Sequence, residues 1–280
     1  MSELIEKAKT TNGHSVKLAE PELARNPEIA RSPEIARNPE IARVGKWLIP
    51  GKLLSPESLA GYYNLNALEN KEGFEANDWL EPEQMFSQFQ FLIDRVDLNG
   101  KSILDVGAGN GMFYEFLKSK NITPSSFTAI DIAEEQIGVV KKRFPEIEAI
   151  ADDFFKYEFE QSYDVVTMFG VAPCLKFMFP NKDRISGLLR LLDRALRYAN
   201  EGVAISFLNH NAYERSEEEH YEYVYYYPEE LCTLLSGGAY EISTAMNDLV
   251  TNCYIHANDS NDDQFRFNLN RIDEVFKIFK

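Results

Sequence analysis

Ser102-Ile103-Leu104-Asp105-Val106-Gly107-Ala108-Gly109-Asn110-Gly111 is the stretch on which the fold turns. Its first five residues form a short apolar run of the kind that becomes a buried strand. The next five carry glycines in G-x-G-x-G spacing, and residues 112–120 then read as a helix. Glycine is needed where φ is positive or where a ligand must come close to the backbone, and the N-terminus of the following helix offers that ligand free N–H groups. Met112 stands where a dinucleotide-binding fingerprint has its third glycine, which counts against a nicotinamide cofactor.

Downstream, short apolar runs alternate with helical patterns, at 102–106, 127–130, 147–150, 164–169 and 203–208. Such alternation predicts βαβ units and an α/β, doubly wound, mostly parallel sheet. After Tyr227-Pro228-Glu229-Glu230 a helix is expected, then strand-like runs at 240–245 and 250–256 that close the sheet as an antiparallel hairpin. Asp131 lies 20 residues beyond Gly111, at the end of the second strand, where a carboxylate can accept both hydroxyls of a ribose. An adenosine-type ligand is therefore indicated. Asp152-Asp153-Phe154 ends the third strand and brings acidic and aromatic groups to the same carboxyl edge, where open α/β sheets bind ligands.

With these residues in place the sequence resembles the class I S-adenosylmethionine-dependent methyltransferases. The matching stretches are 103–111, Ala129-Ile130-Asp131-Ile132, Ala151-Asp152-Asp153 and Tyr163-Asp164-Val165-Val166-Thr167. The resemblance spans about 99–257 and implies a Rossmann-like seven-stranded sheet whose last strand is antiparallel. It also implies S-adenosyl-L-methionine as cofactor. Asp105, Gly107, Ala108, Gly109 and Gly111 would face its methionine part, and Asp131 would hold the ribose. Asp152 or Asp153 would meet the adenine amino group, with Ile132 and Phe154 flanking the ring, and Phe169 belongs to the same cofactor set.

Upstream, Ser55-Pro56-Glu57 and Glu81-Pro82-Glu83 are helix starts, the second leading through Met85, Phe89, Leu92, Ile93 and Val96. Residues 46–100 thus read as a helical lead-in to a domain at 101–257, with a tail at 258–280. Asp78-Trp79 and 85–91 look like the lead-in of bacterial small-molecule methyltransferases, where an Arg often precedes the aromatic residue. Here that position holds Gln90, a departure that weighs against a salt bridge to the cofactor carboxylate. Tyr62, Tyr63 and Trp79 serve either as a cover over the cofactor or as core.

Residues 1–45 form an arm in which a six-residue unit recurs four times, as Glu20 to Arg25, Asn26 to Arg31, Ser32 to Arg37 and Asn38 to Arg43. In the last three copies Asn or Ser precedes Pro-Glu, an N-cap and first-turn signal, but a proline every six residues prevents one continuous helix. Short turns or a flexible arm are expected. The functional alternative is docking of a protein partner, and the bland one is a sequence duplication.

Composition bounds the rest. The 280 residues are 44% hydrophobic, enough for a substantial core, and no apolar stretch reaches the length of a membrane helix. The expectation is a soluble cytoplasmic protein with no membrane partner. Cys174, Cys232 and Cys253 have neither metal spacing nor an even count, so no metal is expected. A net charge of −16 repels a phosphate backbone and disfavours nucleic-acid substrates. The fourth strand ends at Phe169-Gly170-Val171-Ala172-Pro173-Cys174, which lacks the Asn-Pro-Pro-Tyr sequence of adenine-amine methyltransferases. Pro173-Cys174 resembles the cysteine site of cytosine-C5 methyltransferases only superficially, and a buried or turn cysteine is the preferred reading.

The implied chemistry asks little of side chains, because a sulfonium already activates its methyl group and the protein must align an acceptor and exclude water. An acceptor that loses a proton would benefit from a general base, and His210 and His220, beyond the fifth strand, are the candidate catalytic residues. Methyl transfer to a small-molecule acceptor by in-line displacement is the leading expectation. A protein, peptide or RNA acceptor, or cofactor binding without catalysis, are the alternatives.

Overall fold

In the computed structural model the described residues are 54–69, 73–77, 79, 82–210, 223–235, 240–245 and 249–257. The repeat arm, the tail at 258–280 and His220 lie outside them. The chain enters through α1 (Pro56–Glu69), a 3-10 turn (Phe74–Asn77) and α2 (Pro82–Ile93). Both helices have proline at their first position, where its missing N–H costs nothing.

The main body then alternates β1 (Ser102–Val106), α3 (Met112–Ser119), β2 (Ser126–Asp131), α4 (Glu134–Arg143), β3 (Glu148–Ala151) and β4 (Tyr163–Met168). A 3-10 turn (Ala172–Cys174) runs into the short α5 (Leu175–Met178), followed by α6 (Arg184–Tyr198) and β5 (Ala199–Asn209). The described elements end with β6 (Tyr225–Tyr226), α7 (Pro228–Leu234), β7 (Tyr240–Ala245) and β8 (Val250–His256). Asp183 caps α6 by accepting the Ser186 N–H, and that helix presents Leu188, Leu189, Leu191, Leu192 and Ala195 as one buried stripe.

The sheet runs β3-β2-β1-β4-β5-β8-β7, with all central pairs parallel and β8 antiparallel to both its neighbours. This is the expected seven-stranded, doubly wound order with its antiparallel last strand. Two features were not expected. The two-residue β6 pairs in parallel with the end of β5, Leu208 opposite Tyr225 and Asn209 opposite Tyr226. In addition, β5 begins at Ala199, directly after α6, because pairing with β4 carries Asn200, Glu201 and Gly202 into a strand that their polarity conceals.

Successive strand residues face opposite sides, and each side has its own core. Ile103, Phe127, Ala129, Val165, Ala204 and Tyr254 pack beneath α2, α3 and α4 through Phe89, Phe113, Phe116 and Ile137. Leu104, Ile130, Val166, Met168, Val203 and Ile205 pack beneath α6 and α7. Both faces being covered explains why the central strands read as continuous apolar runs. Strand order reverses between β1 and β4, and the crevice at their carboxyl ends is where such sheets leave room for a ligand.

Candidate functional site

The glycine turn joins β1 to α3. Gly107 and Gly109 have φ of 68° and 53°, which only glycine adopts without strain. A side chain on Gly107 would collide with Val171 from the β4 end, its Cβ lying 2.5 Å from a Val171 methyl. One on Gly109 would fall 2.2 Å from Asn77 Oδ1. The turn is thus gripped between the β4 loop and the lead-in. Gly111 is left-handed too, at φ 84°, and stands as the N-cap of α3.

Asn77 is the hinge of that grip. Its Nδ2 donates to Asn110 Oδ1 at 3.0 Å, and the Asn110 N–H donates back to Asn77 Oδ1 at 3.3 Å. Asn110 Nδ2 also donates to the Gly73 carbonyl at 2.8 Å. From α4, the buried Gln136 donates to the Ala76 carbonyl at 2.7 Å, and the Glu135 N–H donates to Asn64 Oδ1 on α1. The lead-in is therefore tied to both α3 and α4 at the mouth of the crevice.

The crevice opens into a cleft of about 1000 Å³, counted out to its solvent mouth. Ten of the eleven residues expected to hold the cofactor line it: Asp105, Gly107, Ala108, Gly109, Asp131, Ile132, Asp152, Asp153, Phe154 and Phe169. Gly111 does not. Tyr63 and Trp79 from the lead-in line it as well, whereas Tyr62 sits behind Tyr63 in an edge-on contact at 5.1 Å. Gln90 donates to Asp94, just past the end of its helix, at 2.6 Å and is absent from the lining, to which α2 contributes Met85 and Phe89.

The acidic groups differ in their situation. Asp131 accepts the Gly109 N–H at 2.9 Å and the Ala133 N–H at 2.8 Å, one on each oxygen. Burial raises its pKa above the usual carboxylate value, and the N–H donors of Ala133, Gly109 and Ile132 oppose that rise. Asp105, almost wholly enclosed, accepts the Thr167 hydroxyl from β4 at 2.6 Å. Burial pushes its pKa up to about 7, against the Thr167 bond and with help from the nearby Asp131 charge. Asp153 is buried and engaged with the Phe155 N–H at 2.9 Å and the Lys156 ammonium at 3.1 Å. Asp152 is exposed and makes a local turn bond to the Asp153 N–H.

Cys174 is buried at the wall of the cleft, with the Tyr63 hydroxyl 3.8 Å from its sulfur. His210 stands elsewhere, at the end of β5, where it stacks on Tyr227 and lines a second cleft. Sequence reasoning missed Asn77, Gln136, Val171 and Met178. These residues carry no motif, and 33 positions separate Asn77 from the Asn110 it bonds.

A doubly wound sheet with a glycine turn after β1 and carboxylates closing β2 and β3 is the arrangement that the resemblance to class I S-adenosylmethionine-dependent methyltransferases implies. Residues 103–199 match the family described as Methyltransferase domain. Solved structures share the fold. The N-methyltransferase NodS from Bradyrhizobium japonicum WM9 aligns at 16% identity and a TM-score of 0.51, covering 70% of this chain and 97% of NodS. DhpI aligns at 16% identity and a TM-score of 0.52, covering 71% and 96%. The magnesium protoporphyrin IX methyltransferase ChlM from Synechocystis PCC 6803 aligns at 11% identity and a TM-score of 0.50, covering 72% and 99%. No curated protein matches the chain in sequence. Among the described residues, no helix is long and apolar enough to cross a membrane.

Proposed function

We propose that this protein methylates a small-molecule acceptor by direct in-line displacement at the mouth of the β1–β4 crevice. One observation carries the reading: the glycine turn, Asp105, Asp131 and Asp152 meet in one cleft whose remaining wall is mostly apolar. The donor set fits the cofactor. Asp105 and the Gly107–Gly109 backbone would face its methionine part, Asp131 would accept the ribose hydroxyls, and Ile132 and Phe154 would flank the adenine. Asp152 suits the adenine amino group better than Asp153, whose oxygens already hold Phe155 and Lys156. Burial disfavours the anionic forms of Asp105 and Asp131, so a cationic ligand beside them relieves an existing electrostatic cost.

When bound, the cofactor supplies a methyl group already activated by its positive sulfur. The chain's own part is to orient and to exclude water. Trp79 packs beside Gly170, and Tyr63 closes toward Cys174, so these side chains and Val171 would shape the space in which the acceptor meets the methyl group. His210 lies in the other cleft and is given no contact with the reacting atoms. A cleft of this size and apolar character supports a small acceptor. ChlM, a magnesium protoporphyrin IX methyltransferase by its description, is a precedent on the same fold.

The test combines calorimetry with mass spectrometry. Two charge-assisted hydrogen bonds to the ribose, at ~1.5 to 3 kcal/mol each, make Asp131→Ala weaken S-adenosylmethionine binding by about 100-fold or more. Incubation with methyl-labelled cofactor and the small-molecule fraction of a cell extract should label a metabolite. Unchanged affinity in the variant would overturn the ribose assignment, and label found on proteins alone would overturn the acceptor class.

A further inference from the structure

The second cleft has no part in the reading above. It opens beyond the carboxyl ends of β4 and β5 and holds about 910 Å³ out to its mouth. One wall is aromatic: the His210 and Tyr227 rings stack at 4.2 Å and 15°, and Tyr227 remains 40% exposed. An exposed tyrosine backed by a second flat ring is a surface on which a further planar group can stack.

The other wall is cationic. Lys176, Lys182 and Arg184 line it, in a chain whose net charge is −16. The carboxylates beside them are committed. Asp183 accepts the Ser186 N–H at 2.9 Å and the Ser186 hydroxyl at 2.7 Å as the cap of α6. Glu230 is chelated by Arg184 and accepts the Tyr227 N–H at 3.3 Å. Lys182 is exposed, fixed at its backbone by a bond to the Phe179 carbonyl at 3.0 Å, and has no ion-pair partner among the described residues. A cation without an ion pair in the same cleft as an open aromatic face favours a ligand that is both flat and negative.

We propose that this cleft binds a planar anion, an aryl carboxylate or aryl phosphate, with its ring on Tyr227 and its charge on Lys182. Such an anion has two sources: the distal end of the methyl acceptor, or a free metabolite that regulates the enzyme. The site itself does not depend on the methyl-transfer reading.

Phenyl phosphate is the probe and benzyl alcohol its neutral counterpart, titrated into the full chain by ligand-observed NMR. Phenyl phosphate should bind saturably, with Lys182→Glu weakening it by about tenfold or more. Tyr227→Ala should weaken it as well, whereas Lys141→Glu, an equal charge reversal on exposed α4, should leave it unchanged. Absence of saturable binding, parental affinity in Lys182→Glu, benzyl alcohol binding as tightly, or displacement by S-adenosylhomocysteine would each overturn the proposal. In the extract assay, inhibition by phenyl phosphate that more extract relieves identifies the acceptor's own anionic end. A rate change that extract does not relieve identifies a regulator, and either result upholds the site. S-adenosylmethionine affinity, measured on the same samples, keeps failure of the proposed reaction distinct from failure of this site.

Discussion

Gly109→Ala should destabilise the protein by an amount that depends on the residue at 77. The new Cβ must adopt φ near 53° and lands 2.2 Å from Asn77 Oδ1 and 2.7 Å from Asn77 Cγ. Left-handed strain in a non-glycine residue costs ~1 to 2 kcal/mol. Asn77 must also leave, breaking its bonds with Asn110 at 3.0 and 3.3 Å, at ~1 kcal/mol each. The total is ~3 to 4 kcal/mol in the parent. In an Asn77→Ala background the collision and those bonds are already gone, so Gly109→Ala there costs only the strain. Urea unfolding of the four proteins, compared by midpoint and slope, yields the coupling as a double-mutant cycle. A coupling of ~2 kcal/mol is expected, and one below ~0.5 kcal/mol would refute the claim that Asn77 seals the turn.

Two further outcomes follow from the carboxylates. The folded pKa of Asp105, about 7, lies above the ordinary 3.8, so the native state holds this proton more tightly and loses stability as pH rises from 4 through 7. Asp105→Asn removes that loss, and the variant should gain up to ~3 kcal/mol on the parent between pH 5 and pH 8 in ligand-free unfolding; parallel pH profiles would contradict the buried-acid account. Asp152→Ala should weaken S-adenosylmethionine binding in calorimetry with little change in melting temperature. Asp153→Ala should lower the melting temperature through the freed Phe155 N–H and Lys156, and equal behaviour of the two variants would dissolve the distinction.

The strands that build the site were legible in the sequence because their cause is local. A central parallel strand is covered on both faces, so 102–106 and 164–169 appear as mostly apolar runs, and β1 and β4 occupy Ser102–Val106 and Tyr163–Met168. Gly107 and Gly109 were legible for a similar reason, since a positive φ is a demand of the backbone on the residue type itself. Asp131 and the Asp152-Asp153 pair could be placed because a strand's end fixes which residues reach the carboxyl edge. β6 was not legible, as two residues have no period and owe their pairing to the end of β5.

What only the tertiary structure decided is which groups share a space. Asp152 and Asp153 are chemically identical in the chain, and only the fold commits one of them to Phe155 and Lys156 and leaves the other exposed at the cleft. His210 reads as a candidate base where the acceptor would sit, and only the fold shows that it lines the second cleft, stacked on Tyr227. Asn77 has no motif at all, and its role arises because α4 and the glycine turn together receive the lead-in. Backbone demands and burial periodicity are written residue by residue. The meeting of side chains far apart in sequence depends on how helices and loops settle on the finished sheet, where the energy of each contact is shared among partners that no local pattern names.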